Sequence, residues 1–252
     1  MRTLLLTLAA LTILITGHGQ TTTGNTSGKV TYEEKLKLEI KLEGEAAAFA
    51  ESMPKEKISK KILYFSPESS IYINDKDKET NEAIEQAEAS GMHIQIYQNE
   101  DKIFCDLKNK KKIEQREFMT RMFIIESELA DTAWKLTGNQ KTILNYPCME
   151  ATKTDKDRKV SAWFTPAIPV SSGPDKYETL PGMVLSVDVN NGERTITATS
   201  VEFSAVDKSL LAKPKEGKKV TMAEYLKIVD EKMKEMGAEG SGGQHVVIKI
   251  QR

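Results

Sequence analysis

The sequence predicts a mainly β fold of the α+β class: a curved, meandering antiparallel sheet or half-barrel with one C-terminal amphipathic helix. Three observations predict it. Many short runs alternate apolar and polar residues at period two. Tight polar turns separate these runs at regular spacing, with no βαβ rhythm, which disfavours a parallel sheet. One stretch near the C-terminus, Thr221–Met236, carries an apolar stripe at helical spacing behind a capping box.

The elements follow in order. Met1-Arg2-Thr3 is a short positive end, and Leu4–Ile15 is an apolar run too short to cross a bilayer. Thr16-Gly17-His18-Gly19 then places small residues before Gln20. That is the layout of a secretory signal over residues 1–19, cleaved near Gly19, and it predicts export to the periplasm or cell envelope. No Cys stands at the cleavage point to carry a lipid anchor, and no later apolar run reaches transmembrane length. Residues 20–28, rich in Thr, Gly and Asn, read as a disordered leader.

An antiparallel β domain is expected over 29–213. It starts with KVTYEEKLKLEIKL, whose Leu36, Leu38, Ile40 and Leu42 share one strand face. GEAAAFAESMPKEK reads as a short helical or irregular connection, and ISKKILYF and SSIYIND as the next strands. Residues 75–91, acidic and nearly free of apolar side chains, read as an exposed insertion. MHIQIYQ, DKIFCDLKN and KKIEQREF resume the alternation, with a hairpin tip at Asn109-Lys110. Lys108, Lys110, Lys111 and Lys112 crowd that tip, either as a solvated turn that discourages edge pairing or as an anion site. Met122–Glu128 is a further strand. AWKLTGNQKTIL reads as a hairpin closed near Gly138-Asn139, and YPCMEATKTDKDRKVSAWF as one closed near Asp155-Lys156-Asp157.

Asn191-Gly192 suits a two-residue type I′ turn, which sets Val189 opposite Arg194 and Val187 opposite Ile196. Leu185, Val187, Ile196 and Ala198 then share the covered face, and Ser186, Asp188, Thr195 and Thr197 the wet one. Upstream, Pro166, Pro169 and Pro174 make an extended, rigid segment, and Leu180-Pro181-Gly182 a tight bend into the hairpin. In the helix, predicted over 219–237, Met222, Tyr225, Leu226, Val229, Met233 and Met236 face one way, onto the sheet or into a partner's groove. Residues 238–252 read as a flexible tail in which HVVIKIQR forms a possible terminal strand.

With 36 basic and 37 acidic side chains among 252 residues, the net charge of −1 supplies no field for a polyanion, so nucleic acid is excluded as a partner class. Two cysteines, Cys105 and Cys148, sit in a chain bound for a compartment that permits disulfides. A bridge and two buried free thiols both fit the count.

The segment Trp134–Val187 resembles the diagnostic region of the GLPGLI family of exported proteins from Gram-negative bacteria. The resemblance rests on Trp134, on Cys148 with Ala151, on Arg158 before Ala162-Trp163, on Ile168-Pro169 and Gly173-Pro174, and on Thr179-Leu180-Pro181-Gly182-Met183-Val184 at the name motif. Thr179 departs from the family's first Gly, and Met183-Val184 from its Leu-Ile. The resemblance implies an exported, mostly β envelope protein and carries over no catalytic residue.

The residues themselves present no catalytic constellation. His93 and His245 belong to no metal-spaced pair, Ser171-Ser172-Gly173 lacks a nucleophile-elbow context, and Asp155 and Asp157 lack the other ligands of a calcium loop. No catalytic residue, metal site or cofactor is therefore expected. The expected function is a non-enzymatic binding or scaffold module for an envelope protein, a peptide or a lipid. Its candidate contacts are Trp134, Arg158, Trp163, Phe164, Tyr177, Leu180, Pro181 and Gly182, with core packing as the alternative role for the large rings. Two other readings stand beside it. One is soft-metal (copper) handling through Cys105, Cys148 and Met149. The other is an enzyme built from Arg158, Asp175 and Lys176 near the proline-rich loop 165–182.

Overall fold

The computed structural model describes residues 26–38, 55–75, 100–129, 133–155 and 157–239, with side chains as far as 235. The expectations for the signal, residues 20–25 of the leader, residues 39–54, the acidic insertion beyond Asp75, MHIQIYQ and the tail beyond Glu239 lie outside the described residues; at their described ends, Gly28 already belongs to the first strand and residues 238–239 still belong to the helix. Asp75 itself is buried, and its N–H donates to the Lys60 carbonyl at 3.0 Å.

The chain is mainly β. Its strands are β1 (Gly28–Lys37), β2 (Glu56–Phe65), β3 (Ser69–Asn74), β4 (Lys102–Asp106), β5 (Lys111–Phe118) and β6 (Arg121–Glu128), then β7 (Lys135–Ile143), β8 (Tyr146–Asp155), β9 (Arg158–Thr165), β10 (Met183–Val189), β11 (Arg194–Phe203) and β12 (Lys218–Val220). One helix, α1 (Met222–Glu239), follows. The twelve strands form one open sheet in the order β12-β6-β5-β4-β3-β2-β1-β11-β10-β9-β8-β7. Long-range pairing of β1 with β11 joins two meanders, β1–β6 and β7–β11, into that sheet. The pairing is antiparallel except at one edge, where β12 runs parallel to β6. The helix expected from 219 therefore starts later: Lys219 and Val220 belong to β12, three residues with too little pattern to read as a strand, and the helix begins at Met222.

The alternation does its expected work. Val30 and Tyr32 on β1, Leu63 and Phe65 on β2, Val160, Ala162 and Phe164 on β9, and Ile196 on β11 are each at most 1% exposed and share one core. At about 25 cal/mol per Å² of apolar surface, burial on this face contributes most to holding the open sheet together, and Ile71, Phe104 and Ile124 are buried on the opposite face at β3, β4 and β6. The β10–β11 register agrees with the prediction, Val189 pairing with Arg194 and Val187 with Ile196. Its loop is wider than the predicted two residues. Asn190, Asn191 and Gly192 all take positive φ (53°, 55° and 87°), and the Gly192 N–H donates to Asp188 Oδ1 at 3.0 Å. The extra residues leave the register unchanged because they are added symmetrically.

The hairpin near Gly138-Asn139 is a correction. β7 runs through that dipeptide, and Gly138, with φ 84°, makes an irregularity between Leu136 and Gln140 instead of a turn. The chain reverses at Leu144-Asn145, whose φ values of 48° and 66° give the twist a two-residue hairpin needs. Met119-Thr120 closes β5–β6 the same way at 53° and 60°. Neither pair has a turn-former's composition except at Asn145, so strand twist has overridden local preference.

The capping box of α1 is present: the Thr221 N–H donates to Glu224 Oε2 at 2.7 Å and the Glu224 N–H to Thr221 Oγ1 at 3.2 Å. Tyr225 meets Phe123 of β6 edge-on at 5.5 Å, so the stripe does face the sheet. Coverage is partial, with Met222 38% and Leu226 47% exposed. No helix of the described residues is long and apolar enough to cross a membrane.

Candidate functional site

The proline-rich segment 166–182 is a strap laid along the inner face of the sheet. Ile168, Val170 and Ser172 point inward while Pro169 and Ser171 face out, the alternation of an extended chain. Its backbone is tied to β10: the Met183 N–H donates to the Ile168 carbonyl at 3.1 Å, and the Val184 N–H to the Ser172 carbonyl at 2.9 Å. Ser172 Oγ donates to Ser70 Oγ of β3 at 2.7 Å. Beneath it, the Tyr32 hydroxyl donates to the Val184 carbonyl at 2.7 Å, and burial pushes that phenol well above its ordinary range.

The Leu180-Pro181-Gly182 bend is tighter than a β-turn. The Gly182 N–H donates to the Leu180 carbonyl at 2.7 Å, a three-residue turn centred on Pro181. Gly182 has φ +145°, and a Cβ there would stand 2.2 Å from the Thr165 carbonyl oxygen, so no other residue fits. Thr179 also has a positive φ, 76°, so the position where this chain departs from Gly is one that favours Gly.

The inner face is apolar at its centre and ionic toward β5. Arg194 of β11 is buried, its Nε donating to Glu34 Oε1 of β1 at 2.8 Å and its Nη1 to Asp175 Oδ2 of the strap at 2.6 Å. Arg116 of β5 donates through Nε to Glu114 Oε2 at 2.9 Å and lies 3.2 Å from Asp101 Oδ2. Lys112 bridges Glu114 and Glu178 of the strap, 3.3 Å from each. Burial would lower Lys112, but Glu178 and Glu114 outweigh it and hold it above its ordinary range. Burial raises Glu178, with Lys112 pulling the other way. Lys61 of β2 donates to Asn74 Oδ1 of β3. The strap is therefore clamped by Asp175 and Glu178 as well as by its apolar residues.

Sequence reasoning missed this cluster: parity along a strand can place each charge on an apolar face, but only the pairing of the strands brings the charges together. Glu34, Lys61, Lys112, Glu114, Arg116 and Arg194 all fall on the face that Tyr32, Leu63, Cys105 and Ile196 define. Lys112 is thus a correction to the lysine-rich turn, for it points inward, while Lys108 stays exposed and pairs with Glu68 at 3.1 Å.

On the outer face, Lys141, Glu150, Lys159, Trp163, Asp188 and Thr195 border an open trough of about 450 Å³. Glu150 accepts from Ser161 Oγ at 2.6 Å, Asn139 Nδ2 at 2.7 Å and Thr137 Oγ1 at 2.8 Å, and these bonds hold its carboxyl below the usual range. The Gly138 irregularity is what folds Thr137 and Asn139 over Glu150. Lys141 Nζ stands 4.1 Å from the Trp163 ring centroid. Beside the trough runs β7, the last strand of the sheet among the described residues, with eight of its nine residues exposed and Leu136 at 63%.

The predicted contact residues divide between these two faces. Phe164, Tyr177 and Leu180 are core residues at 0–2% exposure. Burial, with Asp175 next, pushes the Tyr177 phenol up to about 12. Trp134 is half-buried at the strap's edge, its Nε1 donating to the Glu178 carbonyl at 3.4 Å, with Lys153 Nζ 4.3 Å from its ring. Trp163 borders the trough. Pro181 is exposed and Gly182 buried.

Arg158, Asp175 and Lys176 form no common site. Arg158 pairs with Glu193 at 3.8 Å, Asp175 with Arg194 at 2.6 Å, and Lys176 with Asp155 at 2.7 Å. Cys105 and Cys148 are buried free thiols. The bridge is ruled out by position, since β4 and β8 are separated in the sheet by β3, β2, β1, β11, β10 and β9. Burial raises both thiols and so keeps them protonated. Cys148 and Met149 are consecutive on β8 and face opposite ways, so the sulfurs do not converge on an ion. Among the described residues, no group of three or more His, Cys, Asp or Glu side chains could hold a metal.

Comparison with known proteins gives two results. A family described as "Protein of unknown function (Porph_ging)" matches residues 151–186, the stretch from β8 through the strap into β10. No curated protein matches the chain. Among solved structures, PNGF-II in a P21 crystal form is similar with a TM-score of 0.55 and 18% identity, covering 82% of this chain and 34% of that one. The C2 form of PNGF-II gives 0.56 and 18%, covering 82% and 33%. The likeness is one of fold, and the chain spans about a third of the length of those structures.

Proposed function

We propose that the chain is an exported envelope protein of the GLPGLI type and a non-enzymatic binding module that takes an extended peptide segment of a partner protein along β7 and the adjoining trough. The observation that carries this reading is the contrast between the two faces. Among the described residues, the inner face is filled by the chain's own strap and its ion pairs, with no apolar groove left for an acyl chain. On the other side, β7 has no neighbouring strand beyond it among the described residues, so its outer backbone groups offer an edge that an added strand can pair. The trough beside it supplies side-chain discrimination, with Lys141 and Lys159 balanced by Glu150 and Asp188 around Trp163. The fold's occurrence as about a third of the PNGF-II structures also suits a module that serves a partner.

A photo-crosslinking side chain placed at Leu136 of β7, and separately at exposed Ile58 of β2, tests this in cells that make the protein. A discrete adduct is expected from position 136 alone, with mass spectrometry identifying a protein or peptide. Equal labelling from both positions, or a lipid adduct, would overturn it. Terminal sequencing of the envelope fraction is expected to find Gln20 first.

A further inference from the structure

Beneath the strap lies a cavity of about 20 Å³ lined by Glu34, Lys61, Tyr72, Asp101, Asp175 and Arg194, with Ile73 and Ile103 completing the wall. Tyr72 contributes the decisive group. Its ring sits edge-on to Tyr32 at 6.0 Å, its residue exposure is 5%, and its hydroxyl meets no hydrogen-bonding atom among the described residues. A buried hydroxyl left in that state costs on the order of 1–3 kcal/mol, so a partner is expected.

We infer that this cavity is a hydration site whose ligand is a single buried water joining the Tyr72 hydroxyl of β3 to the carboxylates at the foot of the strap. Three physical facts select that ligand. A water needs roughly 10–15 Å³ and two to four polar partners, and this cavity offers both while leaving no room for an organic molecule. A cation would face Arg194 and Lys61, and an anion would face Glu34, Asp101 and Asp175, so a neutral molecule has the least opposition from the wall. A water can also do what the wall requires: accept from the Tyr72 hydroxyl and donate to a carboxylate, whose two oxygens together offer about four acceptor positions. Asp175 belongs to the strap and Tyr72 to the sheet, so the water is a second link between them, in parallel with the Asp175–Arg194 pair.

Tyr72→Phe tests the inference because it keeps the ring and removes only the hydroxyl. Water-oxygen magnetic relaxation dispersion counts long-lived internal waters, and urea unfolding reads the stability of the same samples. The variant is expected to hold one long-lived water fewer than the parent, and its folded-to-unfolded ratio is expected to fall roughly fivefold, the loss of one hydrogen bond. An unchanged water count overturns the inference. So does a variant more stable than the parent, since that is the signature of a hydroxyl that had no partner.

Discussion

Replacing Gly182 by Ala isolates the contact that seats the strap. The added Cβ would lie 2.2 Å from the Thr165 oxygen, 2.7 Å from its carbonyl carbon and 3.0 Å from Pro166 Cα. All three are backbone atoms, so no side chain can rotate away. The φ of +145° is itself nearly closed to an L-residue, at about 1–3 kcal/mol. Overpacking a fixed backbone adds about 1–3 kcal/mol. The two costs share one relaxation, a shift of the bend that would strain the Met183–Ile168 and Val184–Ser172 backbone bonds. A total loss of about 3–4 kcal/mol is expected, a large part of the ~5–15 kcal/mol available to a domain. Urea unfolding followed by tryptophan fluorescence should show a lower midpoint at unchanged slope. A loss below about 1 kcal/mol would refute the claim that the bend is held against β9 by this approach. Thr179→Gly, three residues earlier, is the internal control of opposite sign. Relief of a β-branched residue at φ 76° is worth about 1–2 kcal/mol, and the extra freedom of Gly in the unfolded chain returns about 0.5–1 of it. A small net stabilisation is expected.

Arg194→Met should cost about 3–5 kcal/mol in the same assay, because it leaves Glu34 and Asp175 buried without their cation, and a loss under about 1 kcal/mol would mean that the pair is hydrated. Glu150 has a depressed folded pKa, so its contribution is present above its unfolded pKa, near 4.3, and is lost as pH falls through the folded value. The difference in melting temperature between the parent and Glu150→Gln should therefore shrink as the pH is taken down from neutral to below the ordinary glutamate range, and a constant difference would contradict the three-bond description. Cys105 and Cys148 should be silent to a thiol reagent in the native protein and both react in denaturant without reductant. Absence of reaction there would show a bridge.

Reading the sequence alone worked where the signal is periodic and local. The strands β2 and β9, the apolar face and register of β10–β11 and the capping box of α1 could all be read from spacing, because side-chain direction alternates with backbone geometry whatever the distant surroundings. Turns were legible only where composition advertises them. Asp157, with φ 68°, closes β8–β9 as expected, whereas Leu144-Asn145 and Met119-Thr120 take the same geometry under the sheet's twist.

What the strap covers was decided only in three dimensions. Three prolines and a Pro-Gly bend establish a stiff, extended segment, and they say nothing of which surface it lies against. For Tyr177 and Leu180 the sequence therefore left contact and core packing both open, and their burial places them in the core. The same holds for charge. Arg194, Glu34 and Asp175 lie far apart along the chain, and only a sheet that brings β1 beside β11 and folds the strap over both can make burying them tolerable. Periodicity is a property of neighbours in sequence. Compensation of buried charge depends on neighbours in space, and an isolated sequence does not contain it.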